Sequence, residues 1–164
     1  IKNKENLRWL SRRDLTDEQF STEFTKYVAD GYRPIDIETY ATADGIHNGG
    51  VWVENKDTVI WQAWRDMDSA ALDEKFQKLN EDGMRMIDVE SYQRDGEQQY
   101  AGIWEKSDSS WRMWRDLTSD GYSEKFYELD DEYRVIDFDA YQTDDGIRYS
   151  AIWHDKRESA PVAP

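Results

Sequence analysis

The chain has 164 residues, which suits a single domain, and its net charge of −15 argues against bulk electrostatic binding of nucleic acid or an anionic membrane. It contains no Cys, which excludes disulfides and thiolate chemistry, and no apolar run is long enough to span a membrane. Eight Trp, ten Tyr and five Phe can still build a core, although only 38% of the residues are hydrophobic.

One pattern occurs three times along the chain. Residues 35–40 have the sequence IDIETY, residues 87–92 IDVESY and residues 136–141 IDFDAY. An Arg precedes each copy, at Arg33, Arg85 and Arg134. A similarity at this spacing predicts one supersecondary unit built three times.

In chain order, each copy predicts a helix followed by strands. In the first copy, Thr16 and Gln19 have capping-box spacing, apolar residues follow at helical spacing, and Asp30-Gly31 ends the helix. Strict alternation then predicts a strand over residues 32–40, and Asp44-Gly45 predicts a hairpin turn to the next strand. A third strand is expected around residues 61–64. The third copy is one residue shorter where its helix ends, so that helix should end differently.

The spacing of the tryptophans suggests how the copies join. Trp9 precedes Arg13 by four residues, as Trp61 precedes Arg65. We therefore expect repeats at 13–64, 65–114 and 115–158, with residues 1–12 completing the third. The fold predicted is α+β: a pseudo-threefold, closed, β-barrel-like arrangement of about nine strands with three helices packed outside, in a single domain over 1–158. An open stacked array is the alternative. Residues 159–164 have the composition of a tail or linker.

Several positions of the pattern recur together. The second copy has Arg85, Asp88, Tyr92 and Gly96 and then YAGIWE at residues 100–105, and the other copies follow it closely. This pattern resembles the bacterial tandem repeat domain that is also the N-terminal domain of polyglycine hydrolases. The resemblance covers nearly the whole chain and implies a β-rich repeat fold, often attached to a secreted hydrolase, so a secreted or periplasmic location is expected. It implies no established activity for the repeats themselves.

Paired carboxylates are the first candidates for chemistry. Alternation places both members of each pair on one strand face, about 7 Å apart. Such pairs suit glycoside hydrolysis or the binding of a hard cation. They also suit a solvated face, or ion pairs with the Arg of the same repeat. The pairs are Asp36/Glu38, Asp88/Glu90 and Asp137/Asp139.

Repeated aromatic residues are the second candidates. Trp52, Trp104 and Trp153 recur in every copy and are expected mainly in the core, whereas Trp64 and Trp114 lack a third counterpart and are better candidates for exposure. Asn48 replaces the Tyr of the other copies, so any site in the first copy should be altered. The predicted ligand-binding set is Trp64, Trp114, Tyr100, Tyr149, Asp36, Asp88, Asp137, Arg33, Arg85 and Arg134.

A surface built three times favours binding over catalysis. We therefore expect a monomeric, non-catalytic recognition module for a polysaccharide, a glycan or an extended peptide. No cofactor, metal, nucleic acid or membrane is expected as a partner. The alternatives are a structural or protein-interaction scaffold without a small ligand, a barrel that holds a small apolar ligand, and a hydrolase that uses one carboxylate pair.

Overall fold

The computed structural model describes residues 6–157, and these form three units of the same design. Each unit consists of a strand, a helix and a long β-hairpin. The elements are β1 (Trp9–Leu15), α1 (Asp17–Ala29), β2 (Tyr32–Thr42), β3 (Gly45–Glu54), β4 (Trp61–Met67), α2 (Ser69–Glu81), β5 (Met84–Arg94), β6 (Glu97–Lys106), β7 (Trp111–Leu117), α3 (Ser119–Leu129), β8 (Tyr133–Thr143) and β9 (Gly146–Asp155).

Each unit has its own three-stranded antiparallel sheet. The second strand of the hairpin is central, so the sheet orders are β1-β3-β2, β4-β6-β5 and β7-β9-β8. The repeats therefore span residues 9–54, 61–106 and 111–155, and we call them the first, second and third repeat.

The prediction that the N-terminal strand completes the third repeat is wrong. Trp9 lies opposite Val53, which places β1 in the sheet of the first repeat, and β7 occupies the corresponding position beside β9. The helix carries the chain across the sheet, so the strand before a helix pairs with the hairpin formed after it. The Trp and Arg-Asp spacing is the same in either phase, and for this reason it could not distinguish the two.

The predicted three helices and β-rich repeats are present, but the closed barrel is not confirmed. Within residues 6–157 the strands form three separate sheets, and no closed barrel is found. No helix in this part of the chain is both long enough and apolar enough to cross a membrane.

The helix boundaries follow from local chemistry. Thr16 and Gln19 form the predicted capping box, and Asp68 and Thr118 cap the other two helices. The first two helices are followed by Gly31 and Gly83 at positive φ. As expected, the third helix ends differently: it stops at Leu129, and its C-cap Asp130 remains in the right-handed helical region.

The core of each repeat contains a tryptophan from the central strand. Trp52, Trp104 and Trp153 are fully buried, which confirms them as core residues. In the first repeat, Phe20 of α1 lies 5.8 Å from the Trp52 ring, measured between ring centroids. The helix therefore covers the face of its own sheet with aromatic contacts.

Close packing around Trp104 leads to a prediction. A Cβ at Gly102 would lie 2.9 Å from Trp104 Cη2 and would also press against Met86 Cε. We expect Gly102→Ala to lower the free energy of unfolding by about 1–3 kcal/mol, measured by chemical denaturation, because the site is overpacked.

A second substitution checks this cause. The third repeat has Ala151 and Val135 at the positions of Gly102 and Met86, so adding Met86→Val should recover part of the lost stability. A Gly102→Ala variant as stable as the parent chain would contradict the packing argument.

Candidate functional site

The paired carboxylates of the three repeats gather in one cluster between the sheets. They are contributed by the edge strands β2, β5 and β8. Glu90 interacts electrostatically with Asp139, Glu38, Asp88 and Asp137, and thus with all three strands. The carboxylate cluster is Asp36, Glu38, Asp88, Glu90, Asp137 and Asp139.

Within this cluster, carboxylates bind the backbone of the preceding repeat. The Ile37 N–H of β2 donates to Asp88 Oδ2 over 3.0 Å, and the Val89 N–H of β5 donates to Asp137 Oδ2 over 2.9 Å. The Ser91 N–H donates to Asp139 in the same way, also over 2.9 Å. The second and third repeats thus each cover the edge strand of the repeat before them with carboxylates, which satisfies N–H groups that an edge strand leaves unpaired.

The same two faces meet at both interfaces. We call the carboxylate-bearing surface of a repeat its acceptor face, and the edge-strand and helix surface that it covers on the preceding repeat the donor face. Helix aromatics of the donor face pack on the first tryptophan of the next repeat. The ring centroids of Phe24 and Trp61 lie 6.1 Å apart, and those of Phe76 and Trp111 lie 5.1 Å apart.

An arginine of the acceptor face adds an ion pair at each interface. Arg65 Nη2 lies 2.8 Å from Asp17 Oδ1, and Arg115 Nη2 lies 2.8 Å from Asp73 Oδ1. Asp17 also binds Arg94, and the hydrogen bond from Arg94 holds the pKa of the Asp17 carboxyl well below its usual range. Both arginine side chains are largely buried, whereas Asp17 and Asp73 are 46% and 61% exposed, so each pair is shielded from solvent on the arginine side only.

The acceptor face of the first repeat is open. It forms a groove of about 330 Å³ whose lining includes Arg12, Arg13, Asp36, Glu38 and Gly50. No hydrogen bond to the Asp36 carboxylate is found from any residue in 6–157. This carboxylate occupies the position from which Asp88 and Asp137 bind a neighbouring strand.

Burial dominates the electrostatics of the cluster. It raises the pKa of Glu90 from 4.5 to about 11, with further contributions from the neighbouring carboxylates, Asp139 first. Burial also raises the pKa of Asp137 to about 6 and that of Asp88 well above its ordinary value. Asp36, Glu38 and Asp139 shift in the same direction, chiefly through burial. Within residues 6–157, no group of three or more His, Asp or Glu side chains is arranged to hold a metal ion.

Arg33, Arg85 and Arg134 are the arginines that the sequence suggests as partners of these carboxylates, and the structure shows contacts of each with a group outside the carboxylate cluster. Arg33 and Arg85 both approach Glu105, at 3.4 and 2.8 Å. Arg134 Nη1 donates to the backbone oxygen of Asp155 over 3.3 Å. The first of these contacts joins two repeats, whereas the other two lie within one repeat.

The aromatic candidates are dispersed and engaged with the protein itself. Trp64 is 40% exposed, with Lys75 Nζ 3.5 Å from its ring centroid. Trp114 packs edge-on against Trp153 at 5.6 Å, Tyr100 is buried and Tyr149 stacks on Phe138 at 5.6 Å. Ligand binding by these side chains stays a prediction.

One repeated contact was not predicted from the sequence, a hydrogen bond between an Asp and a Tyr hydroxyl in each repeat. Asp14 has positive φ, donates its N–H to Tyr40 Oη and accepts the Tyr40 hydroxyl over 2.7 Å. Asp66 with Tyr92 and Asp116 with Tyr141 repeat the hydroxyl bond. The sequence did contain a signal, because the Arg-Asp step and the last Tyr of each pattern both recur three times. Only the structure shows that the Asp and the Tyr meet, since β1, β4 and β7 are bulged at the Arg-Asp step.

Comparison with known families places the whole repeat pattern in one group. A family model described as "Polyglycine hydrolase-like, structural repeat" matches residues 6–55, 59–107 and 108–156. These three ranges correspond to the three units of the structure rather than to the boundaries expected from the tryptophan spacing. No curated protein matches the sequence.

The raised pKa of Glu90 predicts a dependence of stability on pH. In the unfolded chain Glu90 loses its proton near pH 4.5, whereas in the folded chain it keeps it to about pH 11. The folded state binds more protons in this interval, so this group makes the free energy of unfolding fall as pH rises.

A neutral variant tests this directly. Relative to the parent chain, Glu90→Gln should be more stable at pH 8 by at least about 1.4 kcal/mol, the equivalent of one pKa unit, and the difference should shrink toward pH 4.5. The exposed Glu97→Gln removes the same charge at the surface and is the matched control, and its effect on the free energy of unfolding should be small beside that of Glu90→Gln. A pH-independent difference for Glu90→Gln would contradict the assignment.

Proposed function

We propose that this chain, which belongs to the polyglycine hydrolase-like structural repeat family, is a non-catalytic recognition module that binds an extended peptide on the acceptor face of its first repeat. The observation that carries the proposal is the pair of internal interfaces. At each of them, carboxylates at the Asp36 position bind the backbone N–H groups of an extended strand.

The open groove has the parts needed for backbone recognition. Asp36 and Glu38 supply acceptors, and Gly49 and Gly50 form part of its lining without side chains beyond the backbone. An extended peptide that presents N–H groups along one edge would replace the neighbouring strand that the other repeats receive. Recognition through the main chain gives affinity with little demand on sequence.

Charge narrows the class of peptide. The chain has a net charge of −15, and the groove contains two carboxylates besides Arg12 and Arg13. A neutral or basic peptide avoids repulsion from the whole molecule, so we propose this class over an acidic one. A glycan is less favoured at this groove because the described residues that line it include no tryptophan, so it offers no indole face to a sugar.

A structural scaffold without a small ligand is the second candidate. It is supported by the many predicted binding residues that already serve internal contacts, such as Tyr100 with Asp116 and Arg85 with Glu105. In this case the open groove would serve only to join the module to another protein surface.

Peptide titration tests the proposed groove. The probe is a short, alternating Thr/Val peptide with Lys at both ends, and its N-methylated form serves as the backbone control. We expect saturable binding of the probe by isothermal titration calorimetry, and none of the form that lacks the N–H donors. Asp36→Ala should weaken binding about tenfold, since a hydrogen bond to a charged group contributes about 1.5–3 kcal/mol.

The exposed Asp57 provides the matched control, because Asp57→Ala removes the same charge outside the groove. This variant should bind the probe as the parent chain does. Binding that is equally strong with the N-methylated peptide, or equally weakened by Asp57→Ala, would overturn backbone recognition by Asp36. No binding of any extended peptide would favour the scaffold.

A further inference from the structure

The two ends of the array carry the two halves of the inter-repeat interface, and both are uncovered. On the donor faces of the first and second repeats, Ile37 and Val89 are 0% exposed because the next repeat lies on them. Phe138 holds the same strand position in the third repeat and is 47% exposed. An apolar residue is thus left in solvent where both of its counterparts are buried.

The Phe–Trp contact of the internal interfaces has no counterpart within residues 6–157 at the two ends of the array. Phe126 and Trp9 correspond to the pairs Phe24–Trp61 and Phe76–Trp111, which pack at 6.1 and 5.1 Å. Phe126 is 37% exposed and Trp9 is 58% exposed. Each therefore lacks, among residues 6–157, the partner that the other has the right chemistry to supply.

The arginine at the acceptor face of the first repeat also differs from its two counterparts. Arg65 and Arg115 bind acidic residues of the preceding helix, whereas the Arg13 side chain is 88% exposed and lies near its own neighbour Asp14. The first turn of α3 contains Asp120. An acid is thus available near the third donor face, as Asp17 and Asp73 are at the internal interfaces.

We propose that the chain associates head to tail with a second copy of itself, with the donor face of its third repeat on the acceptor face of the other copy's first repeat. The occupant is argued from the molecule, because the same two faces already bury each other twice within it. This inference rests on the proposed function, since the Asp36 groove then receives the β8 edge of another copy.

The contacts of this interface follow from the internal ones. The β8 edge near Phe138 lies over Asp36 and Glu38, Phe126 packs on Trp9, and Arg13 approaches the first turn of α3. In the single chain, the Phe138 and Ala140 N–H groups interact with their own neighbours Asp137 and Asp139. Since the two surfaces differ, the association is heterologous and adds copies into a ring or a filament.

Sedimentation velocity and light scattering at rising protein concentration test the proposal. The wild-type chain should shift from monomer to larger species. Trp9→Asp alters the acceptor face of the first repeat, which we call the head, and Phe138→Asp alters the donor face of the third repeat, which we call the tail. Each variant should abolish this shift. Because Phe138 also packs on Tyr149, Phe126→Glu serves as a second tail variant, and circular dichroism checks that every variant is folded.

An exposed apolar residue outside the two faces provides the matched control. Ile60 lies between β3 and β4 and is well exposed. Ile60→Asp should associate as the wild-type chain does.

Mixing the variants gives the sharpest result. A head variant retains an intact tail and a tail variant retains an intact head, so an equimolar mixture should form a one-to-one dimer that does not grow further. A wild-type chain that stays monomeric, a mixture that stays monomeric, or association that survives both Trp9→Asp and Phe138→Asp would overturn the proposal.

The Thr/Val/Lys peptide titration on the same samples separates the two proposals. A monomeric wild-type chain that still binds the peptide through Asp36 would contradict self-association and leave the proposed function standing. A chain that neither associates nor binds the peptide would contradict both.

Discussion

The binding of edge-strand N–H groups by carboxylates of the next repeat is the contact on which the arrangement of this protein depends. An edge strand leaves N–H groups unpaired, and a carboxylate is costly to bury. Asp88 accepts the Ile37 N–H and Asp137 accepts the Val89 N–H. The edge strand thereby gains a hydrogen-bond acceptor, and the buried carboxylate gains a donor. It also fixes the distance and angle between successive sheets, because a hydrogen bond tolerates little displacement. The burial of the carboxylates, and with it their raised pKa, follows from this placement.

The three repeats are equivalent in design but not in environment. The second repeat is covered on both faces, and its edge strand β5 is buried from Asp88 to Tyr92, including the side chains of Asp88 and Glu90. The outer repeats are each covered on one face. In such an array stability depends on contacts between neighbouring repeats, and within residues 6–157 the two outer faces lack such a neighbour. This asymmetry explains why Asp36 lies in an open groove and Asp88 does not.

Recognition and assembly share one chemistry in this interpretation. A groove that accepts an extended backbone in place of the preceding repeat suits a peptide and suits the β8 edge of another copy, because both present N–H groups in the same geometry. The tryptophans, by contrast, mainly build the units. The central indoles of Trp52, Trp104 and Trp153 are enclosed between sheet and helix. The exposed aromatic side chains at the two outer faces, such as Trp9 and Phe126, are the ones available to contact another molecule.

The sequence by itself determined the unit and its local structure. Threefold repetition, the capping of α1 by Thr16, the altered end of α3 and the buried tryptophans all follow from periodicity and side-chain chemistry within a few residues. Only the tertiary structure decided which strand belongs to which sheet, because the pairing of β1 with β3 joins residues some forty positions apart. It also decided that the paired carboxylates face one another and bind a neighbour's backbone. Alternation places Asp36 and Glu38 on one face of a strand, but what lies against that face depends on how whole repeats pack, and no local pattern encodes that packing.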